Sequence, residues 1–290
     1  MKWRSARRSS NVDDRRGMGP GGGGGGMKLG LGGIAIVVVI GLLMGKNPME
    51  MLGLVAEIQQ QAPAGPSGPA TAPPVDDEAS QFVASILGET EDVWGEIFQA
   101  SGETYPAPTL VLFSGSVNSA CGGATAAVGP FYCPGDQKVY IDLSFFQQMQ
   151  QRLGGGGDFA EAYVIAHEVG HHVQTITGVS DKVNQVRQRG GNVEGADGLL
   201  VRQELQADCY AGLWANRAQK RHAWLEGGDL EEAMATATAI GDDTLQRQGQ
   251  GQVVPDSFTH GSAEQRVRWF RVGFQSGDVR QCDTFAAATL

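Results

Sequence analysis

The sequence has little positive charge, little cysteine and few long apolar runs. Lys and Arg total 22 against 32 Asp and Glu, and the net charge of −10 argues against a nucleic-acid-binding protein. Four cysteines in 290 residues are too few for a disulfide-based scaffold, and the absence of a CxxC spacing argues against a cysteine zinc site. The scarcity of long apolar runs excludes a polytopic membrane protein. The chain is still 41% hydrophobic, which is enough for a globular core.

The charge is distributed unevenly around one apolar run. Residues 1–28 contain seven Lys or Arg and two Asp, a net charge of +5, and the remainder carries −15. Residues 29–45 (LGLGGIAIVVVIGLLMG) contain no charge. A helix of this length spans about 25 Å of a hydrocarbon core of about 30 Å, and the flanking Lys28 and Lys46 can snorkel. We therefore predict an uncleaved transmembrane signal anchor over 29–45, with a cleaved signal peptide and a buried core helix as the alternatives.

This anchor predicts an order of domains along the chain. Positive residues stay on the cytoplasmic side, so residues 1–28 are expected to be a basic cytoplasmic segment of a single-pass protein of the cell inner membrane. Residues 49–61 are predicted to form a short amphipathic helix, and residues 46–77, rich in Pro, Ala and Gly, an extended linker. Residues 78–290 are then expected to form a globular domain in the periplasm or the extracellular space.

The globular part mixes short strands with longer helices. The predicted elements before the central glycines are a helix over 78–100 and strands over 109–113, 129–133 and 138–146. After the glycines at 154–157, the pattern is helical nearly to the end of the chain. A few strands followed by a helical block predict an α+β fold.

The most informative pattern is an HExxH motif inside one of these helices. Its apolar periodicity predicts a helix over 158–176, with Asp158 as the N-cap. His167 and His171 are four residues apart, so both imidazoles can reach one metal ion on the same helix face. Glu168 lies on the flank, where a carboxylate can take a proton from the water that a zinc ion activates. The alternative is a pair of surface histidines with a capping glutamate between them.

A catalytic zinc ion needs a third protein ligand, and a downstream helix offers one. A catalytic site has three protein ligands and one open position. The predicted helix over 199–221 contains Glu204 and Asp208, an i, i+4 acidic pair of the kind that usually lies on a solvated surface, because like charges repel. Their proximity is explained if Glu204 binds the metal and Asp208 hydrogen-bonds a ligand histidine. We therefore predict one Zn²⁺ per chain, held by His167, His171 and Glu204.

The HExxH motif together with the ExxxD pair resembles the glutamate-ligand zincin metallopeptidases. More closely, the chain resembles the bacterial membrane-anchored neutral zinc metallopeptidase family over almost its whole length. The matching segments are Met1–Arg4, Asn11–Gly17, Cys133–Pro134, Tyr140–Leu143, His167–Gln174, Glu204–Cys209 and His260–Arg266. The resemblance implies a zincin-like peptidase domain, and it says little about which peptide or protein is the substrate.

The resemblance also implies a role for a late histidine. Related zincin families carry a histidine followed six residues on by an arginine, and His260 and Arg266 have this spacing. In that role His260 hydrogen-bonds the oxyanion of the reaction, and a helix-capping or purely structural role is the alternative. His172 points about 100° away from His171, so a structural hydrogen bond is expected of it. Tyr163 is expected in the core, and a stabilising charge at a helix C-terminus is expected of His222.

The even number of cysteines fits a domain outside the cytoplasm. Four cysteines allow three connectivities. We favour Cys121–Cys133 and Cys209–Cys282, because the first pair is local. The alternative is four buried free thiols in a cytosolic domain.

These patterns together predict a zinc metalloendopeptidase in which Glu168 is the general base. Its expected partners are a peptide or protein substrate and the membrane, with no nucleic acid. Two alternatives stay open. One is a membrane-tethered binding or adaptor protein with an inert zinc site, and the other is a zinc hydrolase that acts on non-peptide bonds.

Overall fold

The computed structural model describes residues 1–16, 77–125, 128–153 and 156–290. The predicted anchor over 29–45, the predicted helix over 49–61 and nearly all of the predicted linker lie outside these described residues. Among the described helices, none combines the length and the apolar character needed to cross a membrane.

After a three-residue strand and one long helix, a run of short strands is followed by a block of helices, and this order of run and block is the one that the sequence predicts for an α+β domain. The strands are β1 (Val12–Asp14), β2 (Thr109–Phe113), β3 (Ser116–Ser119), β4 (Gly122–Thr125), β5 (Phe131–Cys133) and β6 (Lys138–Asp142). The helices are α1 (Glu78–Ala100), α2 (Ser144–Leu153), α3 (Asp158–Ile176), α4 (Val179–Gln188), α5 (Leu199–His222), α6 (Asp229–Ala239), α7 (Asp242–Gln250) and α8 (Ala263–Ser276). This mixed architecture is consistent with a zincin-like domain.

The main sheet is mixed and has the order β1-β2-β6-β5. Strands β1, β2 and β6 run parallel, and β5 is an antiparallel edge strand. Strands β3 and β4 form a separate hairpin, which the Cys121–Cys133 disulfide joins to β5. The strand predicted over 138–146 is too long, because Asp142 accepts a hydrogen bond from the backbone N–H of Ser144 and the chain turns there into α2.

Helix α3 lies at the centre of the domain, between the sheet and helices α5 and α6. Its close approach to α5 requires a small residue at Gly170, where an added Cβ would lie 3.1 Å from the Cα of Ala207. Helices α5 and α8 cross even more closely, because a Cβ at Gly212 or Gly273 would overlap the opposing backbone. The Cys209–Cys282 disulfide joins α5 to the C-terminal region.

The start of α3 differs from the prediction. The N-cap position belongs to Gly157, and the side chain of Asp158 forms no capping hydrogen bond. Both carboxylate oxygens of Asp158 instead accept hydrogen bonds from the amino group of Met1, at 2.8 and 2.9 Å. A partner 157 residues away has therefore replaced a local one.

Residues 1–16, which we call the N-terminal segment, pack on the domain formed by residues 77–290. Trp3 is 4% exposed and lies edge-on to Phe82, with ring centroids 5.3 Å apart. Strand β1 belongs to the main sheet. The N-terminal segment is therefore part of the fold of this domain.

Candidate active site

Three side chains from helices α3 and α5 bring their donor atoms together. Nε2 of His167 lies 3.2 Å from Oε2 of Glu204 and 3.2 Å from Nε2 of His171. Nε2 of His171 lies 3.5 Å from Oε1 of Glu204. A tetrahedral zinc site with bonds of about 2.0–2.2 Å has ligand atoms about 3.3–3.6 Å apart. The spacing of these three donors therefore fits a zinc ion.

The second nitrogen of each histidine is held by an acceptor. Nδ1 of His167 lies 2.9 Å from Oδ1 of Asp208, and Nδ1 of His171 lies 2.9 Å from Oε1 of Gln174. An acceptor at Nδ1 favours the tautomer whose proton is on Nδ1, which leaves the Nε2 lone pair free to bind a metal. Both imidazoles are thus oriented with their free nitrogen towards Glu204.

Asp208 is fully buried and holds several groups at once. Besides His167, it accepts a hydrogen bond from the Tyr163 hydroxyl at 2.5 Å and two from the Arg266 guanidinium at 2.9 and 3.0 Å. Burial raises the pKa of Asp208, but the charges of Arg266 and His167 outweigh it, so that pKa is lowered. The carboxylate is therefore ionised, and it ties α3, α5 and α8 together behind the metal-binding atoms.

The carboxylates give the site a negative potential. Burial opposes the charged form of His167, but Asp208 and Glu204 raise the pKa of His167 to about 10. Burial also opposes the ionised form of Glu204, and the two histidines nevertheless lower the pKa of Glu204 well below its ordinary value. A site in which positive charge is this strongly favoured is suited to bind a cation.

Glu168 lies beside these donors without being one of them. It is 9% exposed. Burial opposes the charged form of the neighbouring His171, but Glu204 raises the pKa of His171, and the negative charge of Glu168 adds a smaller contribution in the same direction. Within the described ranges, no residue forms a hydrogen bond to the Glu168 carboxylate. The carboxylate is therefore available to a small molecule at the site.

His260 is presented by the loop before α8, on the side of Glu204. A single carboxylate oxygen of Asp242 accepts the backbone N–H groups of Thr259, His260 and Gly261 at 2.7, 2.7 and 3.0 Å. The other oxygen lies 3.3 Å from Nδ1 of His260. The His260 side chain is 39% exposed, and its charge contributes to lowering the pKa of Glu204. The imidazole is thus held at its Nδ1 edge and exposed elsewhere.

The other histidines lie away from this cluster. Nε2 of His172 donates to the carbonyl of Pro106 at 2.6 Å, and Nδ1 lies 3.2 Å from the Tyr132 hydroxyl. His222 hydrogen-bonds Glu89 at 2.8 Å. Tyr163 is buried, but its hydroxyl contacts Asp208, so it supports the site as well as the core.

Two polar residues that support the site were not identified from the sequence. The first is Gln174, and its position three residues after His171 on the same helix face is a signal that could have identified it. The second is Asp242, which is 18 residues away from His260 and has no local sequence signal. Such partners depend on packing between elements.

The carboxylates of Asp158, Asp229 and Glu232 form a second group whose oxygens are close enough together to coordinate a cation. The amino group of Met1 lies 2.8 Å from Asp158 and 3.5 Å from Asp229. This amino group supplies the positive charge there, so we do not assign a metal to this cluster.

Comparison with known proteins identifies the family of this chain. The family described as "Putative neutral zinc metallopeptidase" matches residues 1–285. The uncharacterized protein YpfJ of Escherichia coli K12 is 48% identical over 291 residues, which cover 98% of this chain and 99% of YpfJ. The uncharacterized protein Rv2575 of Mycobacterium tuberculosis is 44% identical over 223 residues, which cover 73% of this chain and 74% of Rv2575. No solved structure matches. The chain belongs to the neutral zinc metallopeptidase family.

Proposed function

We propose that this protein is a zinc-dependent metallopeptidase that binds one zinc ion through His167, His171 and Glu204. The observation that carries the proposal is the spacing of 3.2, 3.2 and 3.5 Å among the three donors, next to a Glu168 carboxylate that the described residues leave without a hydrogen bond. When bound, zinc would supply a Lewis acid that polarises the scissile carbonyl and lowers the pKa of a water molecule towards about 7.

The remaining chemistry belongs to the side chains around the ion. A carboxylate oxygen of Glu168 accepts the proton of the attacking water and passes it to the leaving amine. His260 donates a hydrogen bond from Nε2 to the oxyanion as an imidazolium, a form that is favoured because Asp242 beside Nδ1 and the charge of Glu204 outweigh burial and raise the pKa of His260. Asp208 orients His167 and does not contact the substrate. An inert zinc site would have no use for a free carboxylate in the position of Glu168, which favours a hydrolase over a binding protein.

The test compares zinc content and peptide cleavage in the purified full-length chain. The variants are Glu168→Gln, the Ala variants of the three proposed ligands, and Glu161→Gln as a control with the same chemical change on the same helix. Cleavage of an envelope-protein extract is followed by mass spectrometry of the new peptide termini. We expect Glu168→Gln to retain one zinc per chain while cleavage falls by about 10²–10⁴-fold. The Ala variants should lose zinc, and Glu161→Gln should keep both properties.

Each part of the proposal has an outcome that contradicts it. Full zinc occupancy in Glu204→Ala would remove that residue from the ligand set. Unimpaired cleavage by Glu168→Gln would remove the proposed base. Zinc binding by the unmodified chain without cleavage of any peptide would favour the inert site or a hydrolase of non-peptide bonds.

A further inference from the structure

The N-terminal segment is built into the domain by backbone hydrogen bonds along its length. Strand β1 pairs with β2 in parallel, with Val12 opposite Leu110 and Asp14 opposite Leu112. Before this strand, the N–H of Ser9 donates to the carbonyl of Ala84 in α1 at 2.8 Å. A segment held by a sheet ladder and by a helix carbonyl is part of the fold rather than a tail that rests on it.

Three arginines of the segment, Arg4, Arg7 and Arg16, are paired with acids of the domain. The Arg7 guanidinium contacts the carboxylates of Glu91 and Asp92, each at 2.8 Å. Arg16 contacts Asp77 at 2.8 Å. These arginines are among the charges that predict a cytoplasmic N-terminus. Their partners belong to a domain whose net charge is negative, so the pairing matches the charge asymmetry of the sequence.

The last of these contacts joins the two ends of a long stretch of chain. Arg16 and Asp77 flank residues 17–76, which include the apolar run 29–45. A single crossing of a membrane between them would put a hydrocarbon layer of about 30 Å between two side chains that lie 2.8 Å apart. Two crossings by helices would require two runs of about 17–25 apolar residues, and the stretch contains one.

We propose that the N-terminal segment lies on the same side of the membrane as the domain of residues 77–290. The two disulfides indicate an oxidising, exported compartment for the domain, so the N-terminal segment is exported with it. This proposal does not depend on the peptidase activity.

Site-directed labelling of the full chain in bacterial spheroplasts tests the topology. All four native cysteines are in disulfides, so an added cysteine is the one free thiol. Ser10→Cys reports on the N-terminal segment, and Ser101→Cys is the matched control in the domain, because both serines are exposed. We expect a membrane-impermeant maleimide to label both variants to the same extent without permeabilisation. If only Ser101→Cys is labelled, the N-terminal segment and the domain lie on opposite sides of the membrane and the proposal is wrong. If neither variant is labelled, the domain is not in an exported compartment, and that part of the proposal is wrong.

A pair of glycines in α1 tests the docking itself in the purified full-length chain. A Cβ at Gly88 would lie 2.6 Å from the carbonyl oxygen of Arg7, whereas a Cβ at Gly95 would have no atom within 4 Å. Gly88→Ala must displace the N-terminal segment, and Gly95→Ala makes the same change where nothing opposes it. We expect the thermal midpoint of Gly88→Ala to lie at least about 4 °C below that of Gly95→Ala. Equal midpoints would overturn the docked arrangement on which the topology rests.

Discussion

Replacing Gln174 by methionine removes an acceptor from His171 and keeps a buried side chain of similar volume. Oε1 of Gln174 lies 2.9 Å from Nδ1 of His171, and Nε2 donates to the carbonyl of Gln203 at 2.6 Å and to Oε1 of Gln206 at 3.1 Å. Gln174 itself is completely buried. Without this acceptor the imidazole loses the contact that keeps its proton on Nδ1, and a proton on Nε2 would block the proposed metal-binding atom.

The size of the effect follows from one lost hydrogen bond at a metal ligand. An unpaired buried donor costs about 1–3 kcal/mol, and loss of a partner to a ligand histidine weakens metal binding by about 10–100-fold, or about 1.4–2.7 kcal/mol. We therefore expect the zinc dissociation constant of Gln174→Met to rise by about 10–100-fold. Cleavage at saturating zinc should fall much less, because Glu168 is untouched.

Competition with a chromophoric zinc chelator measures this constant. Gln206→Met is the matched control, since it removes a partner of Gln174 and leaves the hydrogen bond between Gln174 and His171 in place. We expect its zinc affinity to change by less than about 5-fold. Equal losses in the two variants, or an unchanged constant in Gln174→Met, would refute the assignment of Gln174 as the residue that orients His171.

Three further predictions concern stability. Cys209→Ser removes a disulfide between residues 73 apart, so the free energy of unfolding should fall by about 4 kcal/mol in a thermal or denaturant melt, and zinc should bind more weakly. Cys121→Ser removes a disulfide with a separation of 12, so the free energy of unfolding should fall by about 3 kcal/mol and the zinc affinity should stay unchanged. Asp208→Asn leaves the buried Arg266 without its counter-charge and should lower stability by about 3–5 kcal/mol, and a loss below about 1 kcal/mol in urea unfolding would contradict that ion pair. Burial, with a smaller contribution from a neighbouring carboxylate, raises the pKa of Glu161 to about 7 from an ordinary 4.5, so stability should fall as the pH rises through this window. Glu161→Gln should therefore gain about 2 kcal/mol at pH 8, after allowance for partial exposure, and nothing at pH 4, as measured by melts at both values; a gain at pH 4 would contradict the raised pKa.

The sequence by itself predicts the elements that carry the proposed zinc site. Helices α3 and α5 follow from apolar periodicity, which depends only on neighbouring residues. The i, i+4 spacing of His167 and His171 puts both imidazoles on one face before any tertiary contact forms. The pairing of Cys121 with Cys133 also follows from proximity in the chain. Cys209 and Cys282 are the two cysteines that remain, and they form the second disulfide.

Tertiary structure alone decided how these elements are supported. Asp208 meets Arg266 because α5 and α8 cross at glycines, and Asp242 reaches His260 because α7 packs beside the loop before α8. The N-terminal segment is the clearest case. Its arginines predict a cytoplasmic tail when only sequence charge is considered, but two of them, Arg7 and Arg16, contact carboxylates of the domain more than sixty residues away. A three-residue strand such as β1 has no periodicity of its own, so it forms only when β2 offers an open edge for its backbone hydrogen bonds.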